Sequence, residues 1–196
     1  EIVVLEMEDT GKRNLQGLDK PILDSLGIDK NKPEKQQRNQ TGSPILEEGD
    51  ILLNTTLAET NDWQQVDLPV VRTLRHFCIE TLSSYTEDNQ ACISEVDLLD
   101  DKGQPIDKTK WEVVYISSEQ ADKNLGVAEN LFDGDISSFW HTDPATEPGQ
   151  PHRIIVDIKE IYKISALRFK VRKGAFLSGK VKEINVYGRP QFFLFH

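Results

Sequence analysis

The chain has 196 residues, with 23 Lys and Arg against 33 Asp and Glu and a formal net charge of −10. That balance excludes a binder of the phosphate backbone that relies on an overall positive footprint, and it opposes docking on anionic lipid. No apolar run approaches the about 18 residues of a membrane-spanning helix. Residues 1–6 also lack the basic start and long apolar stretch of a signal peptide.

The 15 aromatic residues all lie at or after Trp63, and the first 62 residues contain none. A segment of that size without aromatics is poorly equipped to bury a core of its own. The expectation is an N-terminal arm or linker over residues 1–62, partly disordered, and one folded domain over residues 63–196. Within the arm, the apolar run 2–5 can pair as an edge strand, and residues 21–28 suit one or two helical turns. Residues 30–44 hold no large apolar side chain and read as exposed chain. Residues 45–53 are a second candidate edge strand.

From Trp63 onward the pattern becomes one of short strands. Residues 63–68, 74–79, 92–98, 111–116, 153–158, 164–171 and 182–187 are rich in β-branched or aromatic side chains and bounded by Gly, Pro, Asp or Asn. Asp100-Asp101-Lys102-Gly103 is a strong turn signal. With no helical period between them, these strands predict an all-β sandwich or barrel. The two cysteines, Cys78 and Cys92, do not make a disulfide scaffold. Two readings stand for them: small buried hydrophobes, or a single bridge across a hairpin. The metalloprotease, nucleophile-elbow and P-loop motifs are all missing, so the expectation is a non-catalytic protein.

The sharpest local pattern is Ala128-Glu-Asn-Leu-Phe-Asp-Gly-Asp-Ile-Ser-Ser-Phe-Trp-His-Thr142. It resembles the "A-x-x-x-x-D-G-x-x-x-T-x-W-H-T" signature of the coagulation factor V/VIII C-type, or discoidin, domain. That superfamily includes the family 32 carbohydrate-binding modules and the N-terminal domain of galactose oxidase. Four flanking blocks agree in order. Residues 111–117 resemble "W-x-V-x-x-x-S", 151–158 "P-H-x-x-x-I-D-L", 167–172 "L-R-Y-x-P-R", and 179–187 "G-R-I-K-D-Y-E-V-Y". The resemblance implies a galactose-binding-domain-like β-sandwich, or jelly roll. Residues 71–80 and 91–98 resemble the family's C-terminal block, yet here they precede the Asp-Gly-Asp motif. Either the domain is circularly permuted, or these residues end a preceding copy. A second Asp-Gly-Asp block is lacking, which favours a permuted single sandwich.

The resemblance implies a structural calcium ion held by Asp133, Asp135, Ser138, the carbonyl of Asn130, and Glu95. The chemistry of the turn agrees, because a hard cation takes converging oxygens and Gly134 permits a tight turn. A plain Asp-Gly turn with solvated carboxylates is the alternative. The resemblance also implies a sugar site at His141 and Arg172, whose ring nitrogens and planar guanidinium suit sugar hydroxyls. The alternative is that His141 caps a loop and Arg172 pairs with a carboxylate. Galactose-binding relatives often carry Trp three residues after the His. Pro144 stands there, so Phe176 is the candidate stacking platform. Trp140 reads as core.

The function implied is a non-catalytic carbohydrate-binding module that tethers a protein or enzyme to a glycan, of galactose type or another sugar. The setting implied is extracellular, periplasmic or cell-surface. The alternative is a protein-interaction or adhesion module on the same scaffold, contacting another domain or protein. A third reading, an anionic-lipid binder with an apolar spike at Phe176 and Leu177, is opposed by the net charge. Neither a nucleic-acid partner nor membrane insertion is expected.

Overall fold

A computed structural model describes residues 42–86, 88–145, 149, 151–172 and 178–196. Residues 2–5 and 21–28 and Phe176, to which the sequence assigns roles, lie outside the described residues. The strands in chain order are β1 (Pro44–Ile45), β2 (Ile51–Thr56), β3 (Trp63–Ser84), β4 (Cys92–Ile93), β5 (Glu95–Asp100), β6 (Glu112–Ile116), β7 (Trp140–His141), β8 (His152–Lys170), β9 (Val181–Arg189) and β10 (Leu194–Phe195). Short 3-10 turns occupy Glu48–Asp50, Asp122–Asn124 and Ala128–Phe132.

Two long antiparallel strands organise the molecule. Trp63 to Asp67 of β3 pair with Lys170 to Ala166 of β8, and His76 to Thr81 pair with Asp157 to His152. Between these ladders the register shifts twice, at Asp67/Arg72 and Leu74/His76. Lys159 of β8 also adopts a φ of 71° there. Bulges of this kind bend a strand and increase its twist, so both strands pass from one layer to the other. One half of the sheet runs β2-β9-β3-β8-β6 and the other β3-β8-β5. Phe77 and Ile79 of β3, Val96 and Leu98 of β5, Leu167 and Phe169 of β8, and Ile184 and Val186 of β9 meet in one buried cluster between the halves. The architecture is the β-sandwich that the strand pattern predicts.

The bends explain a difference from the sequence reading. Residues 63–68 and 74–79 belong to one strand, as do 153–158 and 164–171. Pro69 in the first gap and Lys159-Glu160 in the second break the apolar pattern, but the ladder resumes beyond them. The edge strand β2 lies within residues 1–62 and pairs with β9. Its burial comes from aliphatic Leu52 and Leu53, with Leu57 just after it, which an aromatic count does not register.

A second buried cluster lies on the opposite face of the sheet. Cys78, Tyr115, Ile155, Tyr187 and Phe193 pack there with Leu46 and Ile51. Both faces of β8 are therefore covered, which is why residues 153–158 read as a nearly continuous apolar run. Cys78 and Cys92 are free and fully buried, so they are packing residues and no bridge joins them. The predicted turn forms: the Gly103 N–H donates to the Asp100 carbonyl at 3.0 Å. The Asp100 carboxylate accepts the Lys102 and Gln104 N–H groups. Buried Glu80 is fully engaged by Arg153, Asn185 and Tyr187, as a charge in that position requires.

Candidate functional site

The Asp133-Gly134-Asp135 loop follows the 3-10 turn Ala128–Phe132. Gly134 has a φ of +82°, a conformation glycine takes without a Cβ penalty. The Asp133 carboxylate accepts the Asp135 N–H at 2.9 Å, and Asp135 Oδ1 accepts the Ser137 N–H and hydroxyl at 2.9 and 2.6 Å. These local bonds fix the turn. The Ser138 hydroxyl sits at its centre. Asp133 Oδ1 and Oδ2 and the Asp135 carbonyl each lie 2.9 Å from Ser138 Oγ, and the Asn130 carbonyl lies 3.4 Å away. One hydroxyl proton thus faces four acceptor oxygens.

Glu95 reaches this loop from β5. Its Oε1 accepts the Gly134 N–H at 2.6 Å, and its Oε2 accepts Lys108 Nζ at 2.5 Å. Glu95 is 1% exposed. Burial raises its pKa to about 7, against the pull of Lys108 and the Gly134 N–H, and the neighbouring Asp133 raises it further. All five residues the sequence assigns to the cation therefore lie around one turn. Asp135 contributes its carbonyl to the oxygen cluster, while its carboxylate holds Ser137. Among the described residues, no three His, Cys, Asp or Glu side chains form a ready metal cluster. The convergence here is instead of mixed oxygens: carboxylate, hydroxyl and backbone carbonyl. That donor set suits a hard cation and not zinc.

His141 and Arg172 occur together at the neighbouring loop end. His141 lies on β7, which pairs with β4 through Cys92↔His141 and Ile93↔Trp140. Trp140 is fully buried, and its Nε1 donates to the Ser118 carbonyl at 3.1 Å. This anchors the strand that carries His141. His141 is 5% exposed, with Nδ1 2.5 Å from the Thr142 carbonyl. Burial holds its pKa below the ordinary value; the Thr142 carbonyl opposes this and the Arg172 charge adds to it. The ring is therefore neutral at neutral pH. Arg172 is half-buried and lies over the Phe139 ring at 3.9 Å from its centroid. The Cys92 thiol is pushed up to about 12 by burial, with Arg172 opposing, so it is no nucleophile.

Asp88 was not legible in the sequence. It comes from the chain between β3 and β4, and its carboxylate accepts the Gly179 N–H at 3.0 Å and the Gln90 N–H at 3.2 Å. It also accepts the Ser84 hydroxyl at 3.1 Å. Asp88 thus ties the segment around Gly179 to the segment before β4, and its charge acts on His141. No motif surrounds it; only the fold reveals the role.

Residues 114–191 match the family model of the F5/8 type C domain. That stretch includes Asn130, Asp133, Asp135, Ser138, His141 and Arg172, whereas Glu95 and Lys108 lie upstream of it. The chain is also similar to a protein described as a sialidase, from Micromonospora viridifaciens, with 32% identity over 84 residues. The similarity covers 42% of this chain and 13% of the sialidase. The motif order, the sandwich and the match agree, and residues 114–191 are similar to the F5/8 type C, or discoidin, domain family.

Proposed function

We propose that the chain is a non-catalytic carbohydrate-binding module, with the loop end at His141 and Arg172 contacting the sugar. The observation that carries this reading is the junction of β4 and β7. It sets a neutral imidazole beside a guanidinium, within the stretch that matches the family. With its Nδ1–H on the Thr142 carbonyl, the neutral imidazole keeps Nε2 as an acceptor, and a guanidinium offers paired donors to adjacent hydroxyls. Asn130, Asp133, Asp135, Ser138 and Glu95 would hold calcium. When bound, the ion would supply positive charge to the oxygens around Ser138 and lock the turn that precedes β7. Glu95 reaches the loop from upstream in sequence, which fits a permuted form of the family's sandwich. The likeness to part of a sialidase supports a role in which the module keeps a protein or enzyme near its glycan outside the cell.

A glycan array probed with the full chain, His141→Ala and Arg172→Ala tests the sugar reading. The expected result is a glycan hit that both variants lose. No hit, together with unaltered behaviour of both variants, refutes it. For the ion, the expected result is a Tm that falls on chelation and recovers with added calcium; an unchanged Tm refutes that part. The burial of His141 favours one other reading, an adhesion module that presents no imidazole to a ligand. Retention of glycan binding by His141→Ala but not by Arg172→Ala would move the contact to Arg172 alone.

A further inference from the structure

We propose that the outer face of the β3-β8-β5 half is a second, flat carbohydrate-contact surface, built on Trp63 and suited to a neutral oligosaccharide. Trp111 and Trp140 are 6% and 0% exposed and serve the core, but Trp63 is 39% exposed. It opens β3 at the edge of this half, paired with Lys170 of β8. Side chains alternate across a strand, so Trp63, Gln65 and Asp67 share one face, with neighbours about 7 Å apart along it. All three are exposed.

The surface is held from below. Arg168 lies over the Trp63 ring at 5.2 Å from its centroid, and its Nη2 donates to Asp97 Oδ2 at 2.6 Å. Arg168 is thus fixed at one end by a carboxylate and at the other covers the indole. Gln65 Nε2 donates to Asp67 Oδ1 at 2.8 Å, which orients the amide and the carboxylate beside the ring. An aromatic plane next to an amide and a carboxylate is the chemistry that recognises a pyranose. The C–H face of the sugar stacks on the indole, and its equatorial hydroxyls meet the polar pair.

The charges on this face select the ligand class. Arg168 is paired with Asp97, Lys108 with Glu95 and Asp97, and Lys170 donates to the Asn61 carbonyl. Arg168 and Lys108 are neutralised by carboxylates, and Lys170 is buried with its ammonium on a carbonyl, so these three cations of the described residues present little charge to an acidic glycan or a phosphate. A protein partner fits less well. Interface cores are depleted of charge and centred on wider apolar area, whereas the neighbours of Trp63 here are Gln65, Asp67, Arg168 and Lys170. The inference uses neither His141 nor Arg172 and goes beyond the loop-end site.

The test uses the full chain on an array of neutral oligosaccharides, followed by titration with the best of them. Trp63→Ala is expected to weaken that binding about tenfold at unchanged Tm. Trp63→Phe keeps part of the affinity, and Gln65→Ala loses a few-fold. His141→Ala leaves this binding in place, which separates it from the loop-end site. Because the other two tryptophans are buried, ligand on Trp63 shifts the emission to shorter wavelength and protects it from acrylamide. The proposal is overturned if the array gives no neutral hit or if Trp63→Ala binds as tightly as the parent. Loss through Trp63→Ala of binding to a protein alone overturns it equally.

Discussion

Gly126→Ala is the sharpest test of how the fold carries His141. Gly126 is held between two backbone segments. Its N–H donates to the Gln120 carbonyl at 2.9 Å, and its carbonyl accepts the His141 N–H at 3.1 Å. The Gln120 N–H also donates to the His141 carbonyl at 2.8 Å. A Cβ added at Gly126 would lie 2.9 Å from the His141 Cβ, 3.0 Å from the Gln120 Cβ and 3.0 Å from the His141 backbone nitrogen. None of these is the far end of a flexible side chain. Relief requires β7 to move, and β7 is pinned by buried Trp140. Overpacking of this kind costs about 1–3 kcal/mol. For a domain of this size that lowers Tm by about 2–4 °C per kcal/mol. Gly49→Ala is the control, since nothing lies within 4 Å of its added Cβ and its φ is not positive. Calorimetry on both variants is the assay. A Tm for Gly126→Ala within a degree of Gly49→Ala would refute the argument that His141 is fixed through Gly126.

Two further predictions concern pH. Burial alone would raise the pKa of Asp157, but the bidentate Arg75 contact, the Lys159 N–H and the Lys159 ammonium outweigh it and hold the carboxyl far below its ordinary range. A depressed carboxyl adds stability above its unfolded value of 3.8 that is lost as pH falls below it. In acid titrations, Asp157→Asn should therefore be less stable than the parent at pH 7 and show a shallower loss below about pH 4. Parallel acid limbs would refute this. Glu95 carries the opposite sign. Its folded pKa of about 7 lies above the ordinary 4.5, so in the presence of a chelator its contribution is full below 4.5 and lost as pH rises through 7. The gap is at most about 3 kcal/mol. Relative to Glu95→Gln, the chelated parent should lose Tm between pH 5 and 8, and an unchanged difference between the two would refute it.

Local patterns were legible where chemistry is local. The Asp100 to Gly103 turn, the Gly134 turn and the alternation of β5 and β9 follow from side chains a few residues apart. The bends in β3 and β8 were not legible. Pro69 in one segment and Lys159-Glu160 in the other interrupt the strand pattern, and pairing with a distant strand resumes the ladder beyond them. The same limit hid Asp88, whose partners Gly179 and His141 are remote in sequence, and Lys108, which reaches Glu95 across a turn. Burial of β2 by leucines was readable in principle, since Leu52, Leu53 and Leu57 are all apolar. An aromatic count alone does not register it, whereas the apolar run within residues 45–53 reads as an edge strand.

The two ends of Glu95 explain why the candidate cation turn depends on the second half-sheet. Oε1 holds the Gly134 N–H, and Oε2 is bonded to Lys108, which also bridges to Asp97 at 2.8 Å. Asp97 in turn fixes Arg168, which lies over Trp63. A single chain of ion pairs therefore links the Asp133 turn to the exposed indole through β5 and β8. Its members are half-buried or buried, so salt screens them less than an exposed pair. Removing one partner leaves another charge uncompensated in the interior, which is the costly direction. Loss of Lys108 would thus free Glu95 Oε2 and Asp97 Oδ1 together, leaving Asp97 held by Arg168 alone, and loosen both the turn and the support of Trp63. The oxygen cluster and the flat aromatic face are mechanically one assembly, although the ligands proposed for them are different.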